Sequence, residues 1–233
     1  MNLLKFNIFS LISLSLLTFI TLFFELSYLT REDGFIECLS AVFWLIGIIF
    51  SILVIKMKER KLIPIIFLFV CFISLGEEIS WGQRIFNIST PDFIAQANKQ
   101  KELNFHNLYV FSGGSTWQHF FKTGEFNYHQ LLDTQNIFRM GFITFFLLFP
   151  LLVKLDIGAK LANAAGYYKP ENYLTLFILL FMVGSFLITS GKTIAERHVI
   201  QEIREMSFAF FIAMYFISVF YSTGEQKRQE SKP

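Results

Sequence analysis

The sequence predicts an all-α membrane protein, a polytopic bundle of about six transmembrane helices that forms one integral membrane domain over residues 1–233. Two observations lead to this prediction. Hydrophobic residues make up 54% of the chain and the mean hydropathy is +0.50, more apolar surface than one soluble core of this size could bury. The apolar residues also gather in runs close to the roughly 20 residues that a helix needs to cross a bilayer.

Six apolar runs define the expected spans. They cover residues 6–29, 35–55, 62–80, 137–154, 173–190 and 206–222. The sizeable segment between them is the loop 81–136, which the topology below places on the outer side.

Lysine and arginine in the short loops predict the orientation, because cytoplasmic loops carry an excess of these residues. Three segments are rich in them: the loop between spans 2 and 3, the loop between spans 4 and 5, and the C-terminal tail. Their cations are Lys56, Lys58, Arg60, Lys61, Lys154, Lys160, Lys169, Lys227, Arg228 and Lys232. An even number of spans puts all three segments and both termini in the cytoplasm, and the expected location is the plasma (inner) membrane.

Composition argues against several classes of protein. The formal net charge is +2 and charged residues make up 16% of the chain, so there is no broad basic field for nucleic acid.

Cys38 and Cys71 stand alone in apolar runs without the spacing of a zinc motif, so we expect small core residues, with a disulfide between neighbouring helices as the alternative. The expected partner is membrane lipid, and the sequence indicates no particular protein partner.

Polar chemistry is concentrated on the outer side in this topology. Thirteen of the 18 carboxylates fall there, together with all four histidines, His106, His119, His129 and His198. A long polar loop explains part of this distribution. It explains less well the carboxylates at the ends of apolar helices, which are costly there unless they are paired or functional.

The segment SLGEEISWGQR, residues 74–84, is the most unusual of these helix ends. Glu77 and Glu78 repel each other, and a helix C-terminus is electrostatically unfavourable for anions. A helical path would put Glu77, Trp81 and Arg84 on one stripe. We therefore expect a cation here, Arg84 for one glutamate and a metal ion or bound cationic group for the other. The alternative is that the helix ends here and both glutamates face water.

The outer loop contains a predicted helix. Ser89 or Thr90 is the expected N-cap and Pro91 the first helical residue. Its apolar positions are Phe93, Ile94, Ala97 and Leu103. This pattern predicts an amphipathic helix on the outer membrane surface, which would return the chain to the membrane at His106.

Two further patterns place a histidine beside carboxylates. His129 and Asp133 lie one turn apart before span 4, and His198 shares a helical face with Glu202 and Glu205 before span 6. Each set suits metal binding or acid/base catalysis. The alternatives are a surface hydrogen bond for the first set and a solvated helix end for the second.

Together these residues predict a multipass enzyme with an extracytoplasmic Glu/His site, a hydrolase or transferase acting on a lipid or lipid-linked substrate. The expected catalytic residues are Glu77, Glu78, His106 and Arg84. The expected ligands of a divalent metal are Glu78, His106, His198 and Glu202. Oxygen and imidazole ligands without thiolate suit zinc, manganese or iron. A metal-free version uses the same carboxylates and histidine as acid and base.

Two other classes stay open. A transporter or proton-coupled carrier needs ionisable groups near the bilayer midplane, whereas the middles of these spans are mostly apolar. A non-catalytic subunit or sensor would bind a partner through the outer loop. The sequence contains no H-E-x-x-H, G-x-S-x-G or P-loop motif that would choose a specific chemistry.

Overall fold

The structure is a computed structural model that describes residues 8, 10–18, 29, 34–57, 59–98, 100–105, 108–109, 133–189 and 194–230. Within these ranges the chain is helical and contains no strand, with Asn98 and Leu108 forming an isolated antiparallel bridge. The helices are α1 (10–18), α2 (Phe35–Met57), α3 (Leu62–Glu78), α4 (Gln83–Phe86), α5 (Asp92–Ala97), α6 (Thr134–Leu152), α7 (Asp156–Ala165), α8 (Asn172–Thr189) and α9 (Ile194–Glu230). The predicted all-α class is confirmed for the described chain.

Four of these helices are long and apolar enough to cross a membrane: α2, α6, α8 and the part Val199–Glu225 of α9. They coincide with predicted spans 2, 4, 5 and 6, and apolar helices of this kind indicate a membrane protein. Helix α3, at the position of predicted span 3, has 17 residues, about 25 Å at the helical rise. Most of predicted span 1 lies outside the described residues, and α1 is part of it.

The chain divides into two compact units. The first comprises Met1–Phe72 with Val153–Pro233, and the second comprises Ile73–Leu152. The boundary falls within α3, so each part of that helix is described with its own unit.

Helix α9 is the central helix of the first unit. In the most apolar stretch of α9, 78% of the residues are buried. The buried share of the corresponding stretch is 28% in α2 and 11% in α8. The rings of Phe43 and Phe210 are 5.2 Å apart, and those of Phe50 and Phe220 are 5.5 Å apart. Because these pairs advance together along both helices, α2 and α9 run parallel.

Helix α3 runs antiparallel to α9 in this unit. The ring of Phe67 lies 5.4 Å from that of Phe216. One turn later along α3, Cys71 and Ile212 both lie over Gly47. A Cβ on that glycine would lie 2.9 Å from Cys71 Sγ and 3.9 Å from Ile212 Cγ2. Because Gly47 has no side chain, α2 and α3 can approach each other closely.

Both cysteines are free thiols. Cys71 is fully buried, as expected of a small core residue, whereas Cys38 is exposed on α2. The alternative of a disulfide between them is therefore wrong.

Contacts at one end of the first unit join the loop between α2 and α3 to α7 and the residues after it, and bring the ends of α2 and α9 together. Arg60 Nη1 donates a 2.8 Å hydrogen bond to the carbonyl oxygen of Asn163. Gly166, with φ +71°, lies so close to the Arg60 carbonyl oxygen that a Cβ would clash with it. Near the end of α9, the Cβ position of Gly224 is 4.0 Å from Met57 Cε at the end of α2. The loop between α2 and α3 therefore meets the end of α7, and the ends of α2 and α9 lie close together.

The second unit contains α6, whose start and middle follow from local sequence. Asp133 Oδ1 accepts hydrogen bonds from the amides of Gln135 (2.9 Å) and Asn136 (3.3 Å), so it caps the helix. A π-helical turn spans Thr144–Leu148. It precedes Pro150, which has no amide hydrogen to donate to the regular helix.

Candidate functional site

The end of α3 has an unusual backbone. The helix ends at Glu78, and the φ angles of Ser80, Trp81 and Gly82 are then +46°, +53° and +81°. A left-handed conformation costs a residue with a side chain about 1–2 kcal/mol. Such a turn persists when surrounding contacts hold it in place, and here those contacts come from the segment that follows α5.

Trp81 folds back over the end of the helix. Its indole Nε1 donates a 2.7 Å hydrogen bond to Glu77 Oε1. The indole occupies the space where a side chain at Gly76 would lie, because a Cβ there would be 2.9 Å from Trp81 Cε3. The ring of Phe105 stands edge-on to the indole at 6.4 Å. Glu77 and Trp81 are thus in contact, but through a left-handed turn and not along the continuing helix that the predicted stripe assumed.

The second oxygen of Glu77 binds the segment that follows α5. The backbone N–H of Phe105 donates to Glu77 Oε2 at 2.6 Å, across 28 residues of chain. Two N–H groups therefore converge on this carboxylate and stabilise its charge. The bond also brings the chain back to the end of α3 at the residue before His106, where the sequence predicts its return.

Two buried asparagines hold the loop in shape. Asn98 is 1% exposed and Asn104 is 4% exposed. Asn98 Nδ2 donates to Asn104 O at 2.7 Å and to Asn104 Oδ1 at 2.8 Å. Asn98 Oδ1 accepts from the amide of Gln100 at 2.8 Å. Buried amides without such partners would cost about 1–3 kcal/mol each, so these bonds define the loop conformation.

The same loop is tied to the turn that follows α3. Ser80 Oγ donates to Glu102 Oε2 at 2.5 Å, and Gln83 Oε1 accepts from the amide of Leu103 at 2.7 Å. Asn104 Nδ2 donates to Glu102 Oε2 at 3.2 Å. We call this network the polar clamp. Its members are Glu77, Ser80, Gln83, Asn98, Glu102 and Asn104.

Ser80 is completely buried in the clamp. Its hydroxyl donates a hydrogen bond to Glu102 Oε2. Ser80 therefore ties the turn after α3 to the loop.

The structure shows only part of the predicted site. Glu77 and Glu78 are half-buried at the end of α3 in the second unit, and Glu202 is half-buried on α9 in the first unit. Arg84 lies on α4 and His198 on α9, but their side chains are outside the described part of the chain, as is all of His106. In the ranges that the structure describes, no three His, Cys, Asp or Glu residues are grouped as metal ligands would be. Among the predicted site residues, Glu77 is hydrogen-bonded to Phe105, the residue that precedes His106.

A short helix, α5, lies at the position of the predicted loop helix. It begins at Asp92 with Pro91 as N-cap, one residue later than expected, and ends at Ala97. Thr90 has another role, since its Oγ1 accepts a hydrogen bond from Gln83 Nε2 at 2.5 Å. The chain then leaves the helix because Asn98 turns into the polar clamp. Leu103 is therefore not part of this helix.

Sequence reasoning missed five members of the polar clamp: Ser80, Gln83, Asn98, Glu102 and Asn104. Three of them, Asn98, Glu102 and Asn104, lie in a polar segment of ordinary loop composition, NKQKELN, that begins and ends with asparagine. Such a pattern does not distinguish a buried network from a solvated loop.

No protein-family model matches this sequence, and comparisons with curated proteins and with solved structures find no match. Function is therefore inferred from the residues alone.

Proposed function

We propose that this protein is a six-span enzyme of the plasma (inner) membrane that acts at the extracytoplasmic face as a hydrolase or transferase on a lipid or lipid-linked substrate. The observation that carries the proposal is the 2.6 Å hydrogen bond from the Phe105 amide to Glu77. It fixes the chain that leads into His106 beside two adjacent carboxylates at the end of an apolar helix. Carboxylates and an imidazole at such a place can move protons at the level of lipid head groups.

Each residue has a distinct role in this proposal. Glu77 is a positioning residue, because both of its oxygens accept N–H groups that fix the loop. Glu78 is the general base, and His106 is its acid partner. Arg84 binds an anionic head group. The left-handed turn at Ser80 and Trp81 supports a site here, since strained backbone is concentrated at functional sites.

A metal-dependent form of the same enzyme would use carboxylate and imidazole ligands of the second unit, Glu78 and His106, for zinc, manganese or iron. The metal would lower the pKa of a bound water molecule. Elemental analysis of the purified protein separates the two forms. A stoichiometric metal that is lost in Glu78→Ala and His106→Ala supports the metal-dependent form, and an active protein free of metal supports acid/base catalysis.

The helix directions support the proposed topology. In a six-span bundle, spans 2 and 6 run in the same direction and span 3 runs in the opposite direction. Helices α2 and α9 are parallel and α3 is antiparallel to α9, which agrees with this order. The proposal assigns α1 to span 1 and α3 to span 3. It also places α5 on the outer membrane surface, with Phe93, which is 73% exposed, towards lipid.

Charge placement favours this enzyme over a carrier. In α2 the ionisable side chains other than the Cys38 thiol are Glu37 and Lys56, one at each end, and α8 contains no charged residue. A proton-coupled carrier would require such groups near the midplane.

The proposal is tested by lipid turnover. The purified protein is reconstituted into vesicles of a total lipid extract, with and without water-soluble head-group acceptors, and the lipids are profiled by mass spectrometry over time. We expect one lipid class to be consumed, and we expect Glu78→Gln and His106→Ala to slow this at least about 100-fold, the usual contribution of a general acid or base. The matched control is Glu59→Gln, an exposed carboxylate in the loop between α2 and α3. Lipid profiles that do not change, or equal rates in all variants, would contradict the proposal.

A further inference from the structure

Helix α7 has two different apolar faces. One is made of small residues that pack inward: Ala162 is buried, and Gly158 and Ala165 are half-buried. The other is made of large residues that point outward: Ile157 is 75% exposed and Leu161 is 60% exposed. Four residues of helix separate these two side chains, so they lie about 40° apart on one face.

Several contacts within the first unit hold α7 in place. Arg60 donates to the carbonyl oxygen of Asn163, a hydrogen bond that also places a cation at the C-terminal end of α7. After the helix, the Tyr215 hydroxyl donates to the carbonyl oxygen of Tyr168 at 2.8 Å. Tyr167, the residue before Tyr168, is 8% exposed. The outward direction of Ile157 and Leu161 is therefore fixed by the fold.

Cations surround the exposed apolar face. Lys154 precedes α7, and Lys160 lies within it, about 60° from Ile157 around the helix axis; both are exposed. Arg60 joins two cation-rich segments, 56–61 and 154–171. Together they contain seven lysines and arginines and three carboxylates. Large apolar side chains beside lysines on a short helix are the pattern of a helix that lies in a membrane interface.

We propose that α7 is an interfacial helix that inserts Ile157 and Leu161 into the bilayer and binds anionic lipid head groups through Lys154, Lys160 and the neighbouring loop cations. The occupant is lipid because α7 lies at the end of the unit where the membrane-length helices α2 and α9 also end. Ten residues, about 15 Å of helix, are too short to cross the bilayer. The proposal is independent of the catalytic residues, so either can fail alone.

Insertion is tested with an environment-sensitive NBD fluorophore on single cysteines. The background is Cys38→Ala, because the remaining Cys71 is fully buried. In lipid nanodiscs we expect NBD at Ile157→Cys and Leu161→Cys to emit at shorter wavelength and to be quenched by doxyl lipids. The matched control is Ala159→Cys, an exposed position on the opposite face of α7. Water-like emission at 157 and 161, or a blue shift that grows with protein concentration as contact with a second copy would give, overturns insertion.

Head-group preference is tested by native mass spectrometry of the protein released from nanodiscs of phosphatidylglycerol and phosphatidylcholine. We expect the protein to retain phosphatidylglycerol preferentially. Lys154→Gln with Lys160→Gln should lower that preference about 25-fold, roughly fivefold for each lysine removed near the surface. The control Lys101→Gln removes an exposed cation of the second unit and should change nothing. An unchanged preference in the double variant overturns anionic-lipid binding by α7.

Discussion

The indole nitrogen of Trp81 lies 2.7 Å from Oε1 of Glu77 and donates a hydrogen bond to it, across the point where α3 ends. The other oxygen of the same carboxylate accepts the amide of Phe105. Glu77 therefore joins the helix, the left-handed turn and the returning loop.

Glu77→Ala should destabilise the second unit, because it leaves the indole and the Phe105 amide without their acceptor. Hydrogen bonds to a charged group contribute more than neutral ones, and at a half-exposed position we expect a loss of about 1–2 kcal/mol. Chemical unfolding in detergent micelles measures this change. Glu59→Ala, at an exposed carboxylate, should leave the unfolding midpoint unchanged, and an equal effect of both variants would argue against the clamp.

Gly76→Ala should displace the Trp81 indole, since the new methyl group would lie 2.9 Å from its ring. The expected result is a red shift of tryptophan emission as the ring moves into water. The control is Gly184→Ala, where a Cβ meets nothing within 4 Å. If Gly76→Ala emits like the wild-type protein, the indole does not lie over the helix end.

Asn98→Ala should open the loop, because Asn104 and the amide of Gln100 lose a buried partner. Removing one partner of buried polar groups costs about 1–3 kcal/mol for each group left unsatisfied. We expect faster proteolysis between residues 98 and 105 and faster amide hydrogen exchange at Leu103. Gln96→Ala, on the exposed surface of α5, should show neither change.

Gly47→Ala should destabilise the first unit by about 1–3 kcal/mol, as overpacking does, because Cys71 Sγ occupies the space of the new methyl group. Cys71→Ala removes that sulfur, so the double variant should be more stable than the sum of the two single changes predicts. A double-mutant cycle of unfolding free energies measures the coupling, which we expect to exceed about 0.5 kcal/mol. Strict additivity would mean that the residues are not in contact.

Tyr167 gives a prediction for alkaline pH. Burial raises the pKa of this phenol in the folded protein. Unfolding therefore favours loss of its proton, so its contribution to stability is fully present below the ordinary tyrosine pKa of about 10 and decreases as pH rises above it. Between about pH 9 and 11, the melting temperature of Tyr167→Phe should fall less steeply than that of the wild-type protein. Parallel curves would show that Tyr167 is exposed.

The long helices were predictable because their cause is local. A run of about 20 apolar residues specifies a membrane-length helix without reference to the rest of the chain, and α2 and α8 begin within one residue of their predicted starts. The start of α6 was less accurate, because Asp133 caps the helix and Thr134 begins it three residues before the apolar run. Charge in short loops also predicted that Arg60 and the segment before α8 share one end.

The candidate site was less predictable because its cause is not local. Glu77 and Glu78 were identified by their unfavourable charge at a helix end, but the left-handed turn at Ser80 and Trp81 depends on a loop more than 20 residues away. Sequence periodicity assumes a continuing helix and therefore misplaces residues beyond Glu78. The exposed face of α7 was missed because ten residues fall below the length of a span.

In the proposed topology α3 crosses the membrane, so the loop before Leu62 and the loop after Glu78 lie on opposite faces. Single cysteines at two exposed residues, Lys101→Cys beside the polar clamp and Glu59→Cys in the loop between α2 and α3, test it in the Cys38→Ala background. A membrane-impermeant maleimide applied to the outer face of intact, sealed membranes should label position 101 at once and position 59 only after permeabilisation. Labelling of both positions from the same side, or of position 59 alone, would contradict the account.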